Sequence, residues 1–156
     1  MSNSIGKTAF NDVPFGSSRR QIEDAEGHPP VQSKQDNDRE DLVYLATVQG
    51  HAFTSIYSLV DDAFAFGQYL LSDDFDDVGE YADVYRDLQD NLIQAYGEPS
   101  AEEVVGSKKE MQRINVYGET VWEGTDQQIR LQCFKDAQWT VQVIYEDKAL
   151  SPVTQQ

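Results

Sequence analysis

Apolar side chains in residues 79–96 recur with the period of an α-helix. Counted from Tyr81, they fall at offsets of 0, 3, 4, 7, 11, 14 and 15, which place them on one helical face. Gly97 and Pro99 mark the end, because glycine favours the left-handed position after a helix and proline cannot continue one. The opposite face is acidic, and only Arg86 relieves it. The pattern predicts a long amphipathic helix whose apolar face packs on another layer.

Two blocks of strand-like sequence flank this helix. Both are rich in β-branched and aromatic residues, and turn-forming residues such as Gln49-Gly50 and Asp61-Asp62 separate their strands. The first block predicts a three-strand meander with a bulge or kink at Gly67, and the second predicts three more strands with clean alternation. The predicted strands are residues 42–48, 52–60, 63–71, 114–122, 128–134 and 139–146.

A short helix is predicted near the start of the chain, where Ser17 or Ser18 can cap it, and it runs to about Ala25 before Gly27 ends it. We therefore expect an α+β fold. An antiparallel sheet of about six strands, a meander of three and then three more, packs against one long amphipathic helix and one short N-terminal helix. The polar stretches 32–41 and 100–111 are predicted as a flexible loop and a long connection.

A chain of 156 residues is long enough for one domain with a genuine core. We expect a flexible N-terminal arm over residues 1–13, a single domain over 14–147 and a C-terminal tail over 148–156. No apolar run approaches the roughly 18 residues of a membrane span. The start shows no apolar core of a secretory signal, which favours the cytoplasm, with export as the alternative if a signal peptide has been removed.

The formal net charge of −16 disfavours direct binding to nucleic acid, which needs clustered lysines and arginines. Three interpretations of the acidity remain: solubility or salt adaptation of the whole surface, a patch that docks a basic protein, and mimicry of a nucleic acid. Mimicry is disfavoured by charge density. Glu80 to Asp90 presents four acids along about 15 Å of helix, whereas DNA presents one charge per about 1.7 Å.

Residues able to carry catalysis are few. His28 and His51 lack metal-ligand spacing, and Cys133 shares the apolar side of its strand with Ile129 and Leu131, where a free cysteine acts as a small hydrophobe. The acidic run 72–80 does not fit a calcium loop, because Val78 stands at a ligand position. Acidic residues in this run instead indicate the start of a helix, because they interact favourably with the partial positive charge of the helix N-terminus. We expect neither an enzyme nor a bound metal or cofactor.

The leading hypothesis is a non-catalytic, acidic protein-binding module of inhibitor, immunity or adaptor type, which docks a basic partner surface. A salt-adapted accessory domain is the alternative, and a nucleic-acid-mimicking inhibitor is a less favoured one. Acids in the helix would supply electrostatic attraction and aromatics in the sheet would supply anchors. The candidate partner-binding residues are Asp83, Asp87, Asp90, Tyr44, Tyr57 and Trp122. The oligomeric state stays open.

Four short motifs also carry a resemblance: Phe15-Gly16-x-Ser18, Gly27-x-Pro29, Tyr96-Gly97-x-Pro99 and Trp122. In their order along the chain they resemble small bacterial domains of the β-lactamase-inhibitor-protein-like and SmpA/OmlA-like group. The resemblance covers about residues 14–147 and implies a helix-backed antiparallel sheet whose exposed face binds another protein. Members of that group are usually exported or envelope-anchored, whereas this chain shows neither a signal nor a lipidated cysteine near its start.

Overall fold

A computed structural model describes residues 13–149 of the protein. They form one antiparallel sheet and three helices. The elements in chain order are α1 (Arg19–Glu26), β1 (Gln32–Asp36), β2 (Arg39–Val48), β3 (His51–Val60), β4 (Ala63–Leu71), α2 (Val78–Tyr96), β5 (Ala101–Val104), α3 (Lys108–Ile114), β6 (Val116–Glu123), β7 (Gln127–Lys135) and β8 (Trp139–Asp147).

The α+β class and the antiparallel sheet are confirmed, but the expectation of about six strands and two helices is wrong, since this part of the chain has eight strands and three helices. β1 and β5 were predicted as loop and connection because every residue in them is exposed, so neither has the alternating pattern that marks a half-buried strand. α3 is only seven residues long and buries Met111 alone, which is too little for a helical period.

The eight strands lie in the order β1-β2-β3-β4-β8-β7-β6-β5. Each block of four strands forms its own meander, and the blocks meet where β4 pairs with β8, with Gln68 opposite Ile144. The turn residues Gln49, Asp61 and Asp62 all have positive φ, the conformation that tight hairpins require. β4 continues through Gly67, so the predicted bulge does not lie at Gly67 itself. Ser58 and Leu59 of β3 pair with Phe66 and Phe64, which leaves Ala65 of β4 as the extra residue of a bulge two positions earlier.

All three helices have the starts or ends that their flanking residues specify. Ser18 accepts a hydrogen bond from Gln21 N–H and Gln21 bonds back, a capping box that opens α1. Gly27 closes α1 in the left-handed conformation, as predicted. α2 begins one residue before the predicted helix and ends at Tyr96, which confirms the prediction for residues 79–96.

One face of the sheet, which we call the helix-covered face, carries the core. α1 and α2 pack on it, and α2 contacts β6, β7 and β8. Tyr81, Tyr85, Leu88 and Leu92 of α2 are buried against Leu131 and its neighbours. The helix-free face carries the alternate residues of the same strands. The core therefore lies between the sheet and its helices, and it places the polar side of α2 in solvent.

Val13 is buried in this core although it was predicted as the last residue of the arm. The rest of the predicted arm, 1–12, and the end of the predicted tail, 150–156, lie outside the described residues. Among the helices of residues 13–149, none is long and apolar enough to cross a lipid bilayer.

Candidate functional site

Negative charge is concentrated in residues 73–103, which we call the acidic segment. It contains eleven acidic residues and one base, Arg86, a net charge of −10 out of −16 for the chain. The segment covers the approach to α2, the helix itself and β5. Its acids are Asp73, Asp74, Asp76, Asp77, Glu80, Asp83, Asp87, Asp90, Glu98, Glu102 and Glu103. The segment therefore holds well over half of the net charge of the chain, in the loop before α2, on α2 and at the β5 edge.

The outer side of α2 presents Asp83, Asp87 and Asp90, spaced four and three residues apart, which we call the acidic stripe. The side chain of Asp83 is 67% exposed and that of Asp87 is 58% exposed. Arg86 Nη2 lies 2.5 Å from Asp83 Oδ1, and His51 Nε2 lies 3.3 Å from Asp87 Oδ2. Asp90 is also exposed. The three predicted acids thus share one surface.

Several contacts hold α2 in place beneath this stripe. Asp77 caps the helix by accepting a hydrogen bond of 2.9 Å from Gly79 N–H, and Lys108 Nζ of α3 lies 2.6 Å from the same carboxylate. The hydrogen bond from Lys108 lowers the pKa of Asp77, with a smaller contribution from the Gly79 amide. At the other end, Trp122 Nε1 donates to Gly97 O at 2.9 Å. The stripe is therefore displayed on a helix fixed at both ends.

The candidate aromatic anchors do not join the stripe. Tyr44, Tyr57 and Trp122 are 1%, 0% and 2% exposed, and all three lie in the core on the helix-covered face. Their polar atoms bond inside the protein: Tyr44 donates to His28 O at 3.1 Å and Tyr57 to the Glu26 carboxylate, while Trp122 bonds Gly97. These side chains provide none of the exposed aromatic surface that an anchor needs. The alternation of side chains along a strand predicted two faces, but it did not indicate which of the two faces the helices cover.

A row of amide side chains crosses the helix-free face, and the sequence analysis did not identify it. Gln68 donates to Gln142 Oε1 at 2.6 Å, Gln142 donates to Gln132 Oε1 at 2.6 Å, and Gln132 donates to Glu119 Oε2 at 2.7 Å. Each glutamine thus donates towards the carboxylate of Glu119. The signal in the sequence was a glutamine at the outward position of three separate strands, which becomes a row only once the strand order is known.

Partly buried apolar residues share the helix-free face with this row. They include Val43, Ile56, Phe66, Leu70 and Ile144, all on the strands from β2 to β4 and on β8. Leu45 is the most exposed of the large apolar residues within 13–149, at 73%. The face is therefore apolar towards β2 and polar towards β6.

The titratable side chains considered for catalysis differ in their surroundings. Cys133 is fully buried, and burial raises the pKa of its thiol to about 12. His28 is exposed, and its Nδ1 lies 2.8 Å from Pro29 O. In residues 13–149, no group of three or more His, Cys, Asp or Glu side chains is placed to hold a metal ion.

Comparison of the chain with protein-family models, with curated proteins and with solved structures found no match in any of the three. The resemblance to the β-lactamase-inhibitor-protein-like and SmpA/OmlA-like domains therefore rests on the four short motifs alone.

Proposed function

We propose that this protein is a non-catalytic binding module of inhibitor or adaptor type, which docks the basic surface of another protein through the acidic stripe of α2. The observation that carries the proposal is the concentration of a net charge of −10 in residues 73–103, with one ion pair among the described residues to a lysine or arginine outside the segment, Asp77 to Lys108, to offset it. Such a field attracts a cationic partner from a distance and raises its association rate.

Folding alone does not call for this placement of charge. Asp90 lies in the second half of α2, Glu98 follows the helix, and the last turn of α2 has no basic residue. A helix C-terminus carries a partial negative charge, so an acid beside it, such as Glu98, is slightly unfavourable. Asp83 and Asp87 are also four residues apart and repel each other weakly. A binding surface explains acids that the fold does not need.

The stripe is tested by reversing its charges. A variant with Asp83→Lys, Asp87→Lys and Asp90→Lys is compared with a matched variant that carries Asp24→Lys, Asp38→Lys and Asp136→Lys, three exposed acids outside the acidic segment. Both variants change the net charge equally. Proteins that bind the wild type in a lysate of the source cell are identified by mass spectrometry, and the affinity of the purified partner is then measured for all three forms.

We expect one partner with a basic surface, bound at least tenfold more weakly by the stripe variant at 0.1 M salt and nearly unchanged by the matched variant. Binding of the wild type should weaken as salt rises to 0.5 M, since exposed charges are then screened over less than 10 Å. Equal affinity of the stripe variant and the wild type would overturn the proposal. So would equal losses in the two variants, which would show a response to net charge instead of to this surface.

A further inference from the structure

The outer edge of β5 offers unpaired backbone groups to a partner. Within residues 13–149 its one neighbouring strand is β6. Val105 N–H donates to Tyr117 O at 2.9 Å, and the register pairs Glu103 with Glu119. Because hydrogen-bonded pairs alternate along an antiparallel ladder, Glu103 also turns its N–H and C=O towards β6. Glu102 and Val104 therefore turn theirs outward, along the edge of the sheet.

The side chains at this edge are acidic and partly uncompensated. Glu102 and Glu103 are both exposed, and they point to opposite faces of the sheet. Glu103 stands directly opposite Glu119 in the register, a like-charge pair that weakens strand pairing. Arg130 Nη1 lies 3.5 Å from Glu119 Oε2, and Lys135 lines the same cavity as Glu103 and Glu119, but neither base forms an ion pair with Glu103 among the described residues. A cation placed beside Glu103 would relieve the repulsion.

The edge is also continuous with the acidic stripe. The Glu102 carboxylate accepts a hydrogen bond from Gln89 of α2, which immediately precedes Asp90. A protein segment lying along β5 would therefore remain close to the surface assigned above to a basic partner.

The two edge strands, β1 and β5, differ in whether they carry residues that discourage pairing with a further strand. β1 carries Lys34 in its middle, and lysine discourages pairing at an edge. β5 contains no lysine. A second copy of this chain is a poor occupant of the β5 edge, because pairing β5 with itself brings Glu102 and Glu103 against acids of the other copy. The negative charge of the β5 edge therefore favours a basic segment as its partner.

We propose that the β5 edge receives an extended segment of the basic partner as a ninth strand of the sheet. The segment carries two adjacent basic residues, one opposite Glu102 on the helix-covered face and one opposite Glu103 on the helix-free face. Backbone bonds to Glu102 and Val104 supply the pairing, and the two carboxylates select the sequence. This inference rests on the proposed function and adds to it the conformation and the sequence pattern of the partner.

The test uses a synthetic nine-residue peptide of threonine and valine with a central Lys-Arg pair, and a matched peptide with Gln-Gln at its centre. Amide hydrogen exchange of the full chain is followed by NMR. With the Lys-Arg peptide at saturation, we expect exchange at Glu102 and Val104 to slow at least tenfold and exchange at Glu103, already bonded to β6, to stay the same. The Gln-Gln peptide should bind at least tenfold more weakly. Unchanged exchange at Glu102 and Val104 with millimolar Lys-Arg peptide would overturn the inference.

A proline substitution separates the edge from the stripe. Val104→Pro removes one outward N–H, leaves the bonds to β6 in place and keeps the charge, while Val104→Ala keeps the N–H and serves as the matched control. We expect tenfold weaker peptide binding for the proline variant and unchanged binding for the alanine variant. A second variant, Glu102→Gln with Glu103→Gln, should lose the preference for the Lys-Arg peptide even if the proline variant folds poorly.

The two proposals can fail independently. Loss of the cellular partner in the stripe variant, together with full binding of that partner by Val104→Pro, would sustain the proposed function and overturn the ninth strand.

Discussion

A buried hydrogen-bond network joins α2 to the sheet at Thr120. Thr120 and Tyr85 are both fully buried and their hydroxyl groups bond each other, while Gln89 Nε2 donates to Thr120 Oγ1 at 3.0 Å. Burial raises the pKa of Tyr85 well above its usual value, because the charged phenolate would lose its hydration. The hydroxyl of Tyr85 therefore stays protonated and needs a partner in the core.

Thr120→Val removes the common member of this network and preserves its shape. We expect the free energy of unfolding to fall by about 1–3 kcal/mol, since the Tyr85 hydroxyl and the Gln89 amide lose a buried partner. Tyr85→Phe should destabilise as well. The double variant should cost less than the two single costs added together, because both substitutions break the same bond. Urea unfolding of the four proteins gives the coupling energy, and strict additivity would contradict the network.

The exposure of single residues could be predicted from the sequence on α2 but not on the strands. The exposure of Asp83, Asp87 and Asp90 followed from the helical period alone, because a charged helix face opposite an apolar one must face solvent. The position of Tyr44 and Trp122 depended on which sheet face the helices cover, and that is a tertiary choice absent from any local pattern. Residues with strong local periodicity were predictable, and residues on strands with apolar side chains on both faces were not.

α2 carries its charge against its own stability, so binding and folding should respond in opposite directions to one substitution. Asp90→Lys reduces the negative charge of the acidic segment and places a cation three residues after Asp87, with which it can pair. We expect the free energy of unfolding at low salt to rise by about 0.2–0.5 kcal/mol, while affinity for the basic partner falls.

Asp90→Asn is the matched control for this prediction, because it removes the acid without adding a cation. Its stability should lie between those of the wild type and Asp90→Lys. Urea unfolding at 20 mM and 500 mM salt measures both effects, and the gain should shrink at the higher salt. A variant that is less stable than the wild type at low salt would show that Asp90 serves the fold.

The elements missed by sequence reasoning share one physical property. β1, β5 and α3 bury almost no side chains, since Met111 is the one residue among them that enters the core. Such elements are formed by backbone pairing with a neighbour or by a cap, as Ser107 caps α3 with a 3.1 Å bond from Glu110 N–H. A periodic pattern of apolar residues arises only in elements that bury one face. The pattern therefore predicted the six half-buried strands and the two helices that bury a face, but it could not predict the two exposed edge strands.

At the scale of the whole molecule, the sheet separates packing from recognition. The helix-covered face holds the core, and the acidic segment runs along the outside of α2 and out to the β5 edge. Twenty-seven acids against eleven bases lie in residues 13–149, so repulsion between like charges exceeds attraction between opposite ones. The native state accordingly stores unfavourable electrostatic energy that the unfolded chain, being more expanded, relieves.

Thermal stability should therefore rise with salt. Added NaCl screens exposed charges, and each kcal/mol of relieved repulsion raises Tm by about 2–4 °C for a chain of this size. The ion pairs of the surface weaken at the same time, but the excess of acids makes the net effect stabilising. Calorimetry between 20 and 500 mM salt measures this rise, with KCl as the control for simple screening.

The salt response should depend on which acidic residues are replaced. The acidic segment holds a net charge of −10, so the variant with Asp83→Lys, Asp87→Lys and Asp90→Lys should lose more of the salt response than the variant with Asp24→Lys, Asp38→Lys and Asp136→Lys. Equal loss in the two variants would mean that repulsion is spread over the whole surface, as salt adaptation requires. A larger loss of the salt response in the stripe variant would show that the repulsion is concentrated at the acidic stripe. A basic partner that binds there would relieve this repulsion, so the repulsion in the free protein would contribute to the affinity of the complex.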